Sequence, residues 1–333
     1  HRFVKAGRIF VNPFQLAYNT WGQLNPAGDN VILIAHGLTA NSDAVDWWSG
    51  LIGPDKVLDT SKYHVICINA LGSPYGSTSP LTYHQNGHTG YNFPKTTIRD
   101  IVRSQKMLLD HLGITSLQSI IGPSLGGMIA LEWPLMYPDF VRTMISLGST
   151  ARHSPWCIGL SAAQRDAIRS DPAWNDGNYG EAQPKNGLSL ARKIAMISYR
   201  SAVSFDQRFA RNLQGKNSDY FAVESYLDYQ GEKLVERFDA NCYLALTEIM
   251  DTHDVGKGRG GHITALESIN QPSLIISINT DVLYPVHEQK ELVEHIPNAD
   301  YFVIDSINGH DAFLIDLEQV IKAVEPFKKA HWD

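Results

Sequence analysis

Residues 121–127, Ile121-Gly-Pro-Ser124-Leu-Gly-Gly127, place one serine between glycines two positions away on either side. Upstream, Leu117-Gln-Ser-Ile-Ile121 is a short apolar run of the kind a buried strand requires. Downstream, Met128, Ile129, Leu131 and Trp133 open a helical stretch that Pro138 is expected to end. A serine on a sharp strand-to-helix turn is held in a strained backbone conformation, with neighbouring chain at contact distance. Glycine at 122 and at 126 removes the Cβ atoms that would collide there. The helix then aims its free N-terminal amides, and the positive end of its dipole, at whatever Ser124 attacks. The pattern G-x-S-x-G by itself also fits an ordinary glycine-rich turn. With a strand before it and a helix after it, it reads as a nucleophile elbow.

A serine hydroxyl is a poor nucleophile at neutral pH until a base takes its proton, so the elbow calls for a histidine oriented by a carboxylate. Ser273-Leu-Ile-Ile-Ser-Ile-Asn279 reads as a buried strand, and Asp281 follows at its carboxyl end, where open α/β sheets place functional groups. Tyr301-Phe-Val-Ile304 is a further strand, and the loop after it carries His310 just ahead of a helix. Thirteen histidines are present, and position selects His310. Asp254, Asp305 and Asp311 are rival acids to Asp281. The chain order Ser124, Asp281, His310 is that of the α/β-hydrolase fold. In such a site the oxyanion hole takes one amide from the residue after the nucleophile, Leu125, and one from the loop after an early strand. Here Val31-Ile-Leu-Ile-Ala35 runs into His36-Gly37, which makes Leu38 the second donor and places His36 to brace the loop.

From Val31 to about Ser149, apolar runs such as Val65-Ile-Cys-Ile68 and Met144-Ile-Ser-Leu147 alternate with helical stretches. One of these, 98–112, puts Ile98, Ile101, Val102, Leu108, Leu109 and Leu112 on one face. That alternation predicts βαβ units and a mainly parallel sheet. Between about 150 and 268 the strand signal disappears into a polar, helix-compatible stretch; strands return at 273 and 301, and a last helix is expected over about Leu317 to Lys329. The expected architecture is an α/β-hydrolase core, residues 1–150 and 269–333, with a helical lid inserted at 151–268. Phe221, Tyr226, Tyr229, Phe238 and Tyr243 would pack that lid or form a dimer face.

The chain resembles the homoserine O-acetyltransferase family of α/β-hydrolase-fold acyltransferases almost from end to end. The resemblance is carried by Leu16-Ala-Tyr-Asn-Thr-Trp-Gly-Gln-Leu-Asn25, His36-Gly-Leu-Thr39, Asn69-Ala-Leu-Gly-Ser73, Thr97-Ile-Arg-Asp100 and Ala130-Leu-Glu-Trp133. Later blocks are Ser198-Tyr-Arg-Ser201, Tyr229-Gln-Gly-Glu-Lys233, Arg237-Phe-Asp-Ala-Asn241 and Gly309-His-Asp-Ala-Phe313. The resemblance implies that Ser124 is acylated by acetyl-CoA, that His310 is general base and acid, and that Asp281 orients it. It implies Arg192 for the amino acid's carboxylate, Asp311 for its ammonium, and Tyr199 in the same pocket. A guanidinium fork facing an acid suits an amino acid zwitterion. Arg200, Arg208 and Arg211 share the stretch with Arg192, and Asp311 could instead cap a helix before Phe313. The family usually has glycine where this chain has Pro123 and commonly methionine at Leu125. A succinyl donor or a serine acceptor, and less so a serine esterase or thioesterase, are therefore the alternatives.

With 333 residues and 43% hydrophobic content, the chain is long enough for one large core plus an insertion. Its net charge of −7 disfavours nucleic acid or anionic membrane as partners. Cys67, Cys157 and Cys242 are odd in number and not spaced for metal, so neither a disulfide framework nor a zinc site is expected. No run of about 18 apolar residues suggests a membrane span. The first residues, His1-Arg-Phe-Val-Lys-Ala-Gly7, lack the apolar core of a signal peptide, and family members often extend further at this end. The expectation is a cytoplasmic homodimer with no bound cofactor, using acetyl-CoA as co-substrate and homoserine as acceptor.

Overall fold

The computed structural model describes residues 4–11, 14–85, 90–215 and 219–332. Its central sheet is built from β1 (Val4–Val11), β2 (Phe14–Trp21), β3 (Val31–Ile34), β4 (His64–Ile68), β5 (Leu117–Pro123), β6 (Met144–Leu147), β7 (Ser273–Ile278) and β8 (Ala299–Ile304). They lie in the order β1-β2-β4-β3-β5-β6-β7-β8. β1 and β2 pair antiparallel, as do β2 and β4, and the rest pair parallel. Every residue of β3, β5, β6 and β7 is buried, which explains their mainly apolar sequences, broken only by Gln118 and a few buried serines: such strands need helices over both faces. The two faces form separate clusters, one around Leu33, Ile120, Met128 and Trp133, the other around Trp48, Ile121, Ile276 and Phe327.

The helices follow local rules. α1 (Ile98–His111) begins at a capping box between Thr97 and Asp100 and buries Ile98, Ile101, Val102, Leu108 and Leu109, while Leu112 caps its end. α2 (Leu125–Met136) is buried over its first ten residues and stops short of Pro138, accommodating Pro134 internally. Between β6 and β7 run α3 (Pro155–Arg169), α4 (Lys185–Tyr199), α5 (Ala202–Phe209), α6 (Ala222–Val235) and α7 (Ala240–Asp251). α4 packs between α3 and α6, and α3 also packs on α7. The chain leaves and returns side by side, with Val255 N donating to Ala151 O at 3.0 Å and His153 N to His253 O at 2.9 Å. Tyr226, Phe238 and Tyr243 turn inward, whereas Tyr229 is exposed. After β7 come α8 (Val286–His295) and α9 (Leu317–His331).

Two differences from the sequence reading have physical causes. β5 runs two residues beyond its apolar stretch because Gly122 and Pro123 pair with Ser146 and Leu147 of β6. The hairpin β1–β2 carries no alternation signal: β2 buries its residues in pairs, Leu16 with Ala17 and Thr20 with Trp21. All three cysteines are buried and free. No helix among the described residues is long and apolar enough to cross a membrane.

Candidate active site

Ser124 sits between β5 and α2 with φ 57° and ψ −123°, a region that costs a non-glycine residue of order 1–3 kcal/mol. It is held there by its amide, which donates to Leu147 O at 2.9 Å, and by its carbonyl, which accepts from Gly127 N at 2.8 Å. The glycine spacing is a steric requirement. A Cβ on Gly122 would lie 2.1 Å from Gly126 O, and one on Gly126 would lie 2.0 Å from Ala35 O. The second contact presses the loop after β3 against the elbow.

That loop is pinned by His36. Its Nδ1 bonds Gly37 O at 2.8 Å, and its Nε2 accepts from Ala70 N at 3.0 Å, which fixes a neutral tautomer; burial lowers its pKa further. Gly37 O also accepts from Ala40 N at 3.2 Å. Because the peptide is planar, fixing the Gly37 carbonyl also fixes the direction of the Leu38 N–H. Leu125 N is the first amide of α2 and has no acceptor within the helix. Leu38 borders the cavity that exposes Ser124, and Leu125 follows the serine directly.

Asp281 follows β7, and His310 sits on the loop after β8. His310 Nδ1 bonds Asp281 Oδ2 at 2.7 Å, with both side chains almost fully buried. Asp281 Oδ1 accepts from Leu283 N at 2.8 Å and Tyr284 N at 2.9 Å, so the carboxylate is fixed at both oxygens. The imidazole is walled by the rings of Phe313, Tyr284 and Tyr199 at 5.2, 5.3 and 5.7 Å. His310 Nε2 is buried with no hydrogen-bond partner. The rival acids are engaged elsewhere: Asp254 with Gly256 N, Asp305 with Asn279 Nδ2 and Asp311 with Arg200.

Ser124, His310, Leu38, Arg192, Tyr199 and Asp311 line one cavity of about 100 Å³, closed further by Trp47, Phe313 and Leu314. Arg192 is half-buried, lies 5.5 Å above the Tyr199 ring, and keeps its buried Nη1 without a partner. Arg208 and Arg211 instead cover Tyr226 and Phe221. A larger cavity of about 600 Å³, bordered by Phe93, Lys95, Trp174, Asn241 and Glu248, has no histidine in its lining among the described residues and shares none of these with the Ser124 cavity. Size alone would therefore select the wrong place.

A family model described as the alpha/beta hydrolase fold matches residues 30–317. The homoserine O-acetyltransferase of Chloroherpeton thalassium is 53% identical over 319 residues, spanning 95% of this chain and 84% of that protein. The chain belongs to the homoserine O-acetyltransferase family. The family's protein in Trichormus variabilis is 50% identical over 95% of this chain and 88% of its own. The solved homoserine O-acetyltransferase of Bacillus anthracis superposes with a TM-score of 0.90 at 30% identity, covering 98% of each chain. Esterase E22 shares the fold with a TM-score of 0.86 at 26% identity, covering 98% of this chain and 99% of that one. The fold therefore serves both transfer and hydrolysis.

In this member of the homoserine O-acetyltransferase family, Asp311 is not a helix cap. It stands at the cap position of residues 312–315 but makes no side-chain capping bond. Its Oδ2 lies 3.2 Å from Arg200 Nε, a residue the sequence offered only as a rival to Arg192. Burial pushes the Asp311 carboxyl above its ordinary pKa, while Arg200 and then Arg192 pull it back down. Burial likewise raises the Tyr199 phenol, against the pull of Arg192. The aromatic walls Tyr284 and Phe313 were not picked out as site residues either. Their signal was spacing, since each lies three residues after a residue of the proposed Asp281–His310 pair.

Proposed function

We propose that this chain transfers acetyl from acetyl-CoA to the γ-hydroxyl of homoserine by double displacement. The observation that carries the reading is Arg192: a half-buried guanidinium with its buried Nη1 unpartnered, in the same small cavity as a strained serine. A hydrolase has no need of a carboxylate receptor there, whereas an amino acid acceptor does.

Ser124 Oγ attacks the thioester carbon while His310 Nε2 takes its proton, and the amides of Leu38 and Leu125 hold the oxyanion. The C–S bond then breaks, and CoA leaves as the thiol with the proton from His310. Asp281 keeps the imidazole in the tautomer that can accept at Nε2 and stabilises its charged form. Homoserine next binds with its carboxylate on Arg192, its ammonium on Asp311 and its side chain against Tyr199. His310 removes the γ-hydroxyl proton, the oxygen attacks the acetyl ester, and Ser124 leaves with the proton restored. Water competes as a nucleophile, and the narrow, ring-walled cavity favours the held acceptor.

In this reading residues 1–150 and 269–333 form the catalytic core and 151–268 the lid, which delivers Arg192 and Tyr199 from above. The enzyme works in the cytoplasm, in methionine synthesis, and uses no bound cofactor. Leu190 and Ile197, exposed and seven apart on α4, offer a face on which a homodimer closes, and light scattering of the purified protein tests that. The deciding experiment is thiol release from acetyl-CoA or succinyl-CoA, with homoserine, serine or no acceptor, and product identification by mass. Homoserine-dependent release giving O-acetylhomoserine is expected. Sustained release without acceptor would make it a thioesterase or hydrolase.

A further inference from the structure

The end of α4 and the residues after it lie along the loop that carries His310. A Cβ on Gly309, whose φ is 63°, would stand 2.8 Å from Arg200 C and from Ser201 N, so the two segments touch backbone to backbone. Ser201 Oγ donates to Ile307 O. Arg200 Nη1 donates to Asn308 Oδ1 at 3.4 Å, and Arg200 Nε lies 3.2 Å from Asp311 Oδ2. Asn308 is itself fixed, donating from Nδ2 to Asp316 Oδ2 at 3.0 Å. The side chains of Arg200 and Asp311 are each only 16% exposed.

The two arginines near Asp311 are thus differently disposed. Arg200 stands at ion-pair distance from Asp311, with its buried Nε not aligned for a hydrogen bond, and bonds Asn308 through Nη1, whereas Arg192 keeps an unpaired Nη1 at the cavity. We propose that Arg200 is a positioning residue that keeps the Asp311 carboxylate ionised and aimed at the acceptor's ammonium without touching the acceptor itself. This rests on the reading of Asp311 as the ammonium site. A carboxylate at such depth tends to take up a proton, and a neutral carboxyl group loses most of its attraction for an ammonium. The titratable and charged groups acting on Asp311 are Arg200, Arg192, His310 and Asp281, with Arg200 the strongest counterweight to burial. Removing Arg200 therefore weakens acceptor binding while leaving attack on the thioester to Ser124, His310 and Asp281.

The test uses the whole enzyme as Arg200→Gln, Arg200→Lys, Asp311→Asn and the Arg200→Gln/Asp311→Asn double variant. Acceptors are homoserine and 4-hydroxybutanoate, which lacks the ammonium. Arg200→Gln is expected to raise the homoserine KM about 10- to 100-fold, as for a lost charge-assisted contact. The stoichiometric burst of thiol from acetyl-CoA without acceptor should change less than about threefold. Arg200→Lys, which keeps the charge, should recover much of the loss. The double variant should be no worse than Asp311→Asn, because residues acting in series are not additive. With Arg200 gone, the homoserine KM should depend more steeply on pH than in the parent, falling as pH rises, since Asp311 must ionise without its strongest counter-charge.

A parental homoserine KM in Arg200→Gln, additive losses in the double variant, or equal loss of both half-reactions would each overturn the positioning role. Asp311→Asn separates that failure from failure of the underlying reading. If it leaves the preference for homoserine over 4-hydroxybutanoate unchanged, Asp311 does not hold the ammonium. If it abolishes the preference while Arg200→Gln does nothing, only the proposal for Arg200 falls.

Discussion

Gly126→Ala tests the coupling between the elbow and the oxyanion loop without altering any group that does chemistry. The new Cβ would stand 2.0 Å from Ala35 O and 2.7 Å from Ala35 C, against ordinary contact at about 3.4 Å. Loop and elbow must separate by about 1.4 Å to relieve that overlap. Ala35 N also bonds Ile121 O at 2.9 Å, so the strain falls on the end of β3 and on the His36-Gly37-Leu38 segment that follows. Displacing the Leu38 N–H by more than 1 Å takes it out of hydrogen-bond range of an oxyanion. Losing one such donor costs about 3 kcal/mol, or roughly 10²- to 10³-fold in kcat. Overpacking costs a further 1–3 kcal/mol of stability, roughly, which a large domain should survive. The assay is homoserine-dependent thiol release at saturating acetyl-CoA, beside a thermal melt read by circular dichroism. A folded variant with kcat down about a hundredfold and a homoserine KM within threefold is expected. A folded variant with kcat within threefold of the parent would refute the steric link between Gly126 and Leu38.

Asp281→Asn should lower kcat by about 10⁴ while leaving both KM values nearly unchanged, because the retained carbonyl oxygen still accepts from Leu283 N and Tyr284 N; steady-state kinetics on folded protein decide it. Arg192→Ala should raise the homoserine KM about 10- to 100-fold and the acetyl-CoA KM less than threefold, and equal rises in both would remove Arg192 from the acceptor site. Burial lowers the His253 pKa from 6.5 to about 4, so the folded state stays neutral where the unfolded chain is already protonated. Stability from this residue is complete above the unfolded pKa and lost as pH falls, amounting to roughly 3 kcal/mol by pH 4. His253→Gln should flatten that acid slope in urea midpoints compared at pH 7 and near pH 4.5, and identical slopes would exclude it.

The parts that could be read in the sequence were those in which one physical constraint dictates residue type. Chain-on-chain contact at the elbow admits only glycine at 122 and 126, so their spacing survived as a pattern. Strands buried on both faces are mainly apolar, so β3, β5, β6 and β7 stand out despite their buried serines and Gln118. The antiparallel hairpin did not, because β2 buries its residues in pairs and shows no alternation of period two. The proposed acid and base are read from their place after strands, whereas the fixing of Asp281 by Leu283 N and Tyr284 N involves backbone groups that nearly every residue carries. The arginines were the hardest to sort. Arg192, Arg200, Arg208 and Arg211 look alike in sequence, and only the fold separates a free guanidinium from one paired with Asp311 and from two lying over aromatic rings.

That sorting bears on why one fold serves both esterases and acyltransferases. Ser124, the amides proposed for the oxyanion, Asp281 and His310 all stand where sheet strands end, and nothing in their geometry says which molecule receives the acyl group. The groups proposed to select the acceptor come mainly from elsewhere: Arg192 and Tyr199 from α4, and Arg200 from the residue after it. Only Asp311 belongs to the core, and it borrows its counter-charge from that same segment through Arg200. In the proposed mechanism, acyl-enzyme formation and acceptor choice therefore rest on different elements, joined where Gly309 lets residues 199–201 lie against the His310 loop. Changes confined to α4 can redirect the acyl group while the elbow stays fixed, whereas a side chain at position 309 would disturb both at once.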